Sequence, residues 1–328
     1  MIRRTFVMSA AAGIVALGLA APANAFEPSN VECIAPANPG GGWDFTCRQI
    51  GKLLSDLDVV PGTVQVTNMA GGGGGVAYSH VVTKRNEDPN LIVAASTATA
   101  TRLAQNQFAG LTADQVHFVG ALGADYGVLV VAKDSPHQDL ASLVEAVKAD
   151  PTSISFAGGS AAGGFDHLKV LQVLKAGGFE DIRSVRYISF DGGGDAITQM
   201  LGGHVQAMTG DISEAVGFIQ SGDVRVLAVL SQERLPGEFG EIPTAQEQGF
   251  DVVAPNWRGF YVPKGTEDEV FEFWAEALRT VGESNEWQEI MAANGLMPFF
   301  KVGDDFQGFV DDQIRSIQDL SREIGVIQ

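Results

Sequence analysis

Residues 33–47 read CIAPANPGGGWDFTC and set three glycines, a tryptophan and an aspartate between the only cysteines of a 328-residue chain. A strand-like run, Val31-Glu32-Cys33-Ile34-Ala35, precedes the glycines. A helix with Cys47, Ile50, Leu54 and Leu57 along one side follows them. N–H groups at a helix start lack intrahelical partners and sit at the positive end of its dipole, so a glycine turn there offers donors to an anion. The same unit recurs. TVQVT (63–67) passes through Gly71 to Gly75 into VAYSHVV, and SISFA (153–157) passes through GGSAAGG into FDHLKVLQVLKAGG. VRYISF (185–190) then passes through Gly192-Gly193-Gly194 into DAITQML. Gathered at one sheet edge, four such turns would line a crevice with amides and few charges, which suits a carboxylate or another small anion.

Side chains beside these turns each carry two readings. Asp44 is expected to cap the first helix, with a contact to a ligand hydroxyl or bound water as the alternative. Asp166, Asp195 and Asp211 open helices in the same way. Trp43 either walls a pocket or packs over the neighbouring strand. Thr97, Thr99 and Thr101 follow the strand-like LIVAAS (91–96), which ends in Ser96, and there hydroxyls cap a helix or donate to an anion. Arg258, next to Trp257, is read as the partner of a surface acid rather than of a ligand. His167 is read as a buried, hydrogen-bonded residue, and Trp274 and Trp287 as core.

Two other chemistries fit less well. Gly72-x-Gly74-x-x-Ala77 matches a relaxed dinucleotide fingerprint, but a run of glycines produces such a match freely. No acid closes the following strand, and GxxxxGK[ST] is absent from the sequence. Gly158-Gly159-Ser160-Ala161-Ala162 nearly spells a nucleophile elbow, yet Ala162 stands where the second glycine belongs. A hydrolase order of serine, acid and histidine would need His204. Ser160 is better read as a hydroxyl donor or cap, and the chain as a binding protein rather than an enzyme.

Strands alternating with helices at this spacing indicate an α/β architecture with mainly parallel sheets. LIVAAS, HFVGALG (117–123) and GVLVVA (127–132) read as separate strands, and VVAPNWRGFYVPKG (252–265) as an extended return between lobes. Residues 1–25 read as a secretory signal, with Arg3 and Arg4, an apolar Ala10–Ala20 and an Ala23-Asn24-Ala25 cleavage site; the twin-arginine route ranks second. The remainder is long enough for two lobes. The net charge is −19, and the signal holds only Arg3 and Arg4, so the remainder is more acidic still. This argues against nucleic acid and anionic membranes as partners. Cys33 and Cys47 are expected to pair in an oxidising compartment. The five histidines (His80, His117, His137, His167, His204) show no metal spacing, and neither a metal nor a cofactor is expected.

Motifs in order along the chain resemble the receptors of the tripartite tricarboxylate transporters, the TctC or Bug family. They begin with Pro39-Gly40-Gly41-Gly42-Trp43-Asp44, Asn68-Met69-Ala70-Gly71-Gly72-Gly73-Gly74 and His167-Leu168. Met200-Leu201-Gly202-Gly203-His204-Val205, Gly222 to Val229 and Ile242 to Gly249 follow. Trp257-Arg258-Gly259 with Pro263-Lys264-Gly265 completes the set. The resemblance implies a periplasmic, type II-like clamshell closing on a small organic acid for delivery to membrane permease subunits, with a monomer expected. Lobe 1 would comprise 26–126 and 258–328, lobe 2 would comprise 127–257, and hinges would lie near 124–130 and 254–262. Ligand contacts implied by the resemblance are Gly41, Gly42, Trp43, Asp44, Gly72, Ser96, Thr97 and Trp257. The second lobe would add Ser160, Ala161, Asp191, Gly193 and Asp211. Trp43 and Asp191 depart from the family pattern, so di- and tricarboxylates, aromatic acids and amino acids all stay open as ligands. A sensory receptor would share these features.

Overall fold

The computed structural model describes residues 26–323, 326 and 327, so the expected signal segment lies outside the described residues. Ten strands form one continuous curled sheet. The first half contains β1 (Glu32–Ala35), β2 (Gln65–Asn68) and β3 (Leu91–Ser96). Next comes β4 (Val116–Ala132), then β5 (Ser155–Gly158), β6 (Arg186–Ser189), β7 (Ala207–Asp211) and β8 (Val224–Val229). β9 (Pro255–Pro263) and β10 (Lys301–Val302) complete the set. The order is β2-β1-β3-β9-β4-β7-β5-β6, with β8 and β10 also on β4.

The glycine-turn units give the parallel pairs β1–β2, β1–β3, β5–β6 and β5–β7. Every antiparallel pair involves β4 or β9. The cause is connectivity: β4 carries the chain from one half to the other and β9 brings it back, so they run in opposite directions. The two strands expected at 117–123 and 127–132 are one strand, because Ala124, Asp125 and Tyr126 stay paired with Trp257, Asn256 and Pro255. The expectation of mainly parallel sheets therefore holds for the outer strands and fails where the halves join.

Helices cover both faces of each half. Over the first half lie α1 (Gly42–Asp56), α2 (Gly75–Lys84) and α3 (Thr97–Ala104). Over the second lie α4 (Leu140–Ala149), α5 (Phe165–Ala176), α6 (Gly193–Leu201) and α7 (Ile212–Ser221). The chain then returns to the first half through α8 (Asp268–Glu283), α9 (Asn285–Ala293) and α10 (Asp304–Glu323). On one face of the first half, Ile50 and Leu54 of α1 pack with Trp274, Leu278 and Trp287. Tyr78, Phe118, Trp257, Tyr261 and Phe306 fill the other. In the second half α4 and α5 cover one face with Leu143, Val147, Val170 and Leu174, while Ile197, Met200 and Ile212 cover the other. Cys33 and Cys47 are bonded, with Cα atoms 5.7 Å apart, which ties β1 to α1 directly behind the first glycine turn. Among the described residues, no helix is long and apolar enough to cross a membrane.

Candidate functional site

The carboxyl ends of β1, β3, β5 and β7 meet where the two halves face each other. Their turns enclose a cavity of ≈ 40 Å³. Gly41, Gly42, Trp43 and Ser96 line it from the first half, and Gly159, Ser160, Asp166, Gly192, Asp211 and Glu214 from the second. Asn256 and Arg258 of β9 close its floor. The halves also touch at the rim, where the Asn38 amide donates to the Asp191 carbonyl at 2.9 Å and Asn38 Nδ2 to Asp195 Oδ2 at 2.8 Å. On the opposite side Gln105 Nε2 donates to the Gly163 carbonyl at 3.0 Å.

A carboxylate already sits among the amides, and it belongs to the chain. Glu214 Oε1 accepts from the Gly42 amide of the first half at 3.0 Å and from the Gly193 amide of the second at 3.2 Å. Its Oε2 accepts from the Asp211 amide at 3.1 Å, completing a capping box at the start of α7. Both donors are glycines, which leaves room for the side chains that reach them. A methyl on Gly193 would collide with the Glu214 carboxyl, and one on Gly42 with the Arg258 guanidinium.

Beneath the cradle lies a buried ionic network. Arg258 Nη2 bonds Asp125 Oδ2 at 2.6 Å and Asp211 Oδ2 at 2.9 Å. Lys169 Nζ bonds Asp166 Oδ1 at 2.7 Å, Asp211 Oδ1 at 2.8 Å and the Gly210 carbonyl at 2.7 Å. Both cations are thus surrounded by the chain's own acids. Burial would raise the Asp211 carboxyl, but Lys169 and Arg258 hold it below its ordinary value. Asp125 is raised, by burial first and by Asp211 second, against the pull of Arg258. Among the described residues no cation is bonded to Glu214. Burial, then repulsion from Asp211 and Asp166, push its pKa to about 7 against the attraction of Arg258. Asn256 Nδ2 donates to Asp211 Oδ2 at 2.6 Å, while the buried Asn256 Oδ1 has no hydrogen-bond partner among the described residues.

Of the residues expected at the site, Gly41, Gly42, Trp43, Ser96, Ser160 and Asp211 line the cavity, and Gly193 donates into it. Trp43 Nε1 donates to Ser96 Oγ at 3.1 Å, and its ring lies against Gly74. The remaining residues have other partners. Asp44 is the third residue of α1 and not its cap, which is Gly41. Its carboxylate turns back to the Gly40 amide, Arg48 and Asn68. Despite burial, these bonds hold Asp44 below its ordinary pKa. Thr97 Oγ1 donates to the Pro255 carbonyl, and Thr99 completes a capping box with Ser96. Trp257 faces the core, with Nε1 donating to Gln313 Oε1 at 2.7 Å. Asp191 is exposed at the rim, and Gly72 and Ala161 lie outside the cavity lining. Arg258 is buried, so its partners are interior acids and not the expected surface one. Ser160 Oγ accepts from the Asp166 amide at 2.9 Å, a capping role. His167 Nδ1 accepts from the Gly163 amide at 3.0 Å, and burial lowers its pKa to about 4.

Glu214, Asp125, Lys169 and Asn256 are members that sequence reasoning missed. Two of them left a signal: Asp211-Ile212-Ser213-Glu214 has capping-box spacing, and Asp125 interrupts an otherwise apolar strand.

The fold has counterparts. A model of the tripartite tricarboxylate transporter family receptor matches residues 48–326. Protein BugT of Bordetella pertussis is 28% identical over 318 residues, covering 95% of each chain. The structure of periplasmic binding protein BugD superposes with a TM-score of 0.80 at 25% identity, covering 90% of this chain and 98% of that one. MatC of Rhodopseudomonas palustris with bound malate gives 0.76 at 20% identity, covering 88% and 98%.

Proposed function

The chain belongs to the tripartite tricarboxylate transporter receptor family, whose members are periplasmic solute-binding receptors, and from that premise we propose that it captures a small carboxylate between its two halves. One observation carries the reading. The amides of Gly42 and Gly193 converge from opposite halves on a single carboxylate oxygen. The arrangement recognises a carboxylate by hydrogen bonds alone and makes the halves close on it. Backbone amides suit this task because they are fixed by the fold and lose no side-chain entropy on binding.

The cavity is too small for a dicarboxylate, so the halves part to admit one and close again around it. The parting occurs where β4 and β9 cross, the short segments that join the halves, as hinge-type closure requires. The closed form is then what membrane permease subunits of a tripartite transporter recognise. The signal-like residues 1–25 would deliver the monomeric receptor to the periplasm. A thermal-shift screen of the mature chain against small organic acids tests the reading, since a ligand that binds only the folded state raises the midpoint. At least one mono-, di- or tricarboxylate should raise it saturably. No shift with any acid would contradict it.

A further inference from the structure

We propose that Glu214 is a tethered carboxylate that competes with the ligand for the amides joining the two halves, and so sets the affinity and the pH range of binding. The inference rests on the carboxylate-receptor reading and adds a residue that limits it.

Glu214 does more than cap α7. The capping box asks of the Glu214 side chain only its bond to the Asp211 amide, which Oε2 makes. Oε1 spans the crevice and takes one amide from each half. An incoming carboxylate that seeks the same two donors has to displace it. Displacement is sterically simple, because the tether is a flexible side chain and the cap at Oε2 belongs to the same half as its helix. Two features favour the exchange. Asp211 and Asp166 favour the neutral form of Glu214, which gives up the amides more readily than the ionised one, and Arg258 and Lys169 already bond other acids. Asn256 adds an unpartnered buried acceptor at the same cavity, able to receive a hydroxyl or a protonated carboxyl of the ligand.

Charge gives the pH dependence its sign. The titratable and charged groups around Glu214 are Asp211 on β7, Asp166 on α5, Arg258 on β9 and Tyr187 on β6, with Lys169 and Asp125 one bond further. With a pKa of about 7, Glu214 is ionised at pH 8 and neutral at pH 5.5. An ionised Glu214 holds the amides more strongly and repels a second carboxylate, so binding weakens as pH rises through 7.

The test is a calorimetric titration of wild type, Glu214→Ala and Glu214→Gln with malate, adipate and citrate at pH 5.5 and 8. Small-angle scattering of the three proteins without acid accompanies it. At pH 8 the acid that binds should bind Glu214→Ala about tenfold more tightly, the scale of a hydrogen bond to a charged group. The gap should narrow at pH 5.5. Weaker binding by both variants would overturn the proposal and make Glu214 a direct ligand contact. If no acid binds any of the three proteins, the receptor reading fails and scattering decides the inference. A larger radius for Glu214→Ala than for wild type then supports the bridge, and equal radii overturn it.

Discussion

Arg258 and Asp125 face each other from adjacent strands, Nη2 2.6 Å from Oδ2, with side chains 3% and 0% exposed. β9 and β4 are the two strands that cross between the halves, so this ion pair sits at the proposed pivot of their parting. Asp211 shares the same guanidinium from β7.

Removing Arg258 strands two buried carboxylates. Breaking a buried pair from one side costs about 3–5 kcal/mol, because the remaining charge stays desolvated. Arg258→Met should therefore lower stability by about that amount in urea unfolding. A change below about 1 kcal/mol would mean that Asp125 and Asp211 find other partners.

The Cys33–Cys47 bond closes a short loop around the first glycine turn, with a sequence separation of 14. A disulfide over such a loop is worth about 3 kcal/mol. The double Cys33→Ser, Cys47→Ser variant should unfold at correspondingly lower urea while keeping the native circular dichroism spectrum. Equal midpoints for the two proteins would show that packing of α1 on β1 already fixes the turn.

How legible the molecule was depended on range. The glycine-turn units, their parallel pairing and the helices that follow were readable because each is set by local period and turn chemistry. The joining of 117–123 and 127–132 into one strand was not, since Asp125 is tolerated there because Arg258 and Ser213, both distant in sequence, bond its carboxylate. Arg258 itself reads as the partner of a surface acid for the same reason. Asp44 was read as a cap, yet Gly41 takes that place and the carboxylate serves the turn from the third helical position. The cavity residues from the turns were accessible to spacing arguments. Glu214 was not, because its second role depends on Gly42, more than 170 positions earlier.

Stability should depend on pH through Glu214 in a defined direction. Its folded pKa of about 7 exceeds the ordinary 4.5, so the folded state holds the proton more tightly. That contribution is complete below pH 4.5 and is lost as pH rises to 7 and beyond. His167, lowered to about 4, acts in the opposite sense between pH 4 and 6.5, but equally in both proteins compared. The melting temperature of Glu214→Gln minus that of wild type should therefore grow between pH 5 and 8. A constant difference would show that Glu214 titrates normally.

Trp43 separates wall from hydrogen bond. Trp43→Phe keeps an aromatic face against Gly74 but loses the Nε1 bond to Ser96 Oγ, a loss of about 1 kcal/mol. Trp43→Ala removes the face as well. Ligand affinity should fall more for alanine than for phenylalanine in parallel calorimetric titrations. Equal losses would assign the effect to the hydrogen bond alone.

In the proposed complex a ligand carboxylate is held by amides of both halves. A crystal structure grown with the acid that gives the largest thermal shift tests it most directly. One carboxylate oxygen should lie about 3 Å from the amides of Gly42 and Gly193, with Glu214 Oε1 turned out of that position. An acid bound elsewhere, with Glu214 still bridging the two glycines, would rule this mode of capture out.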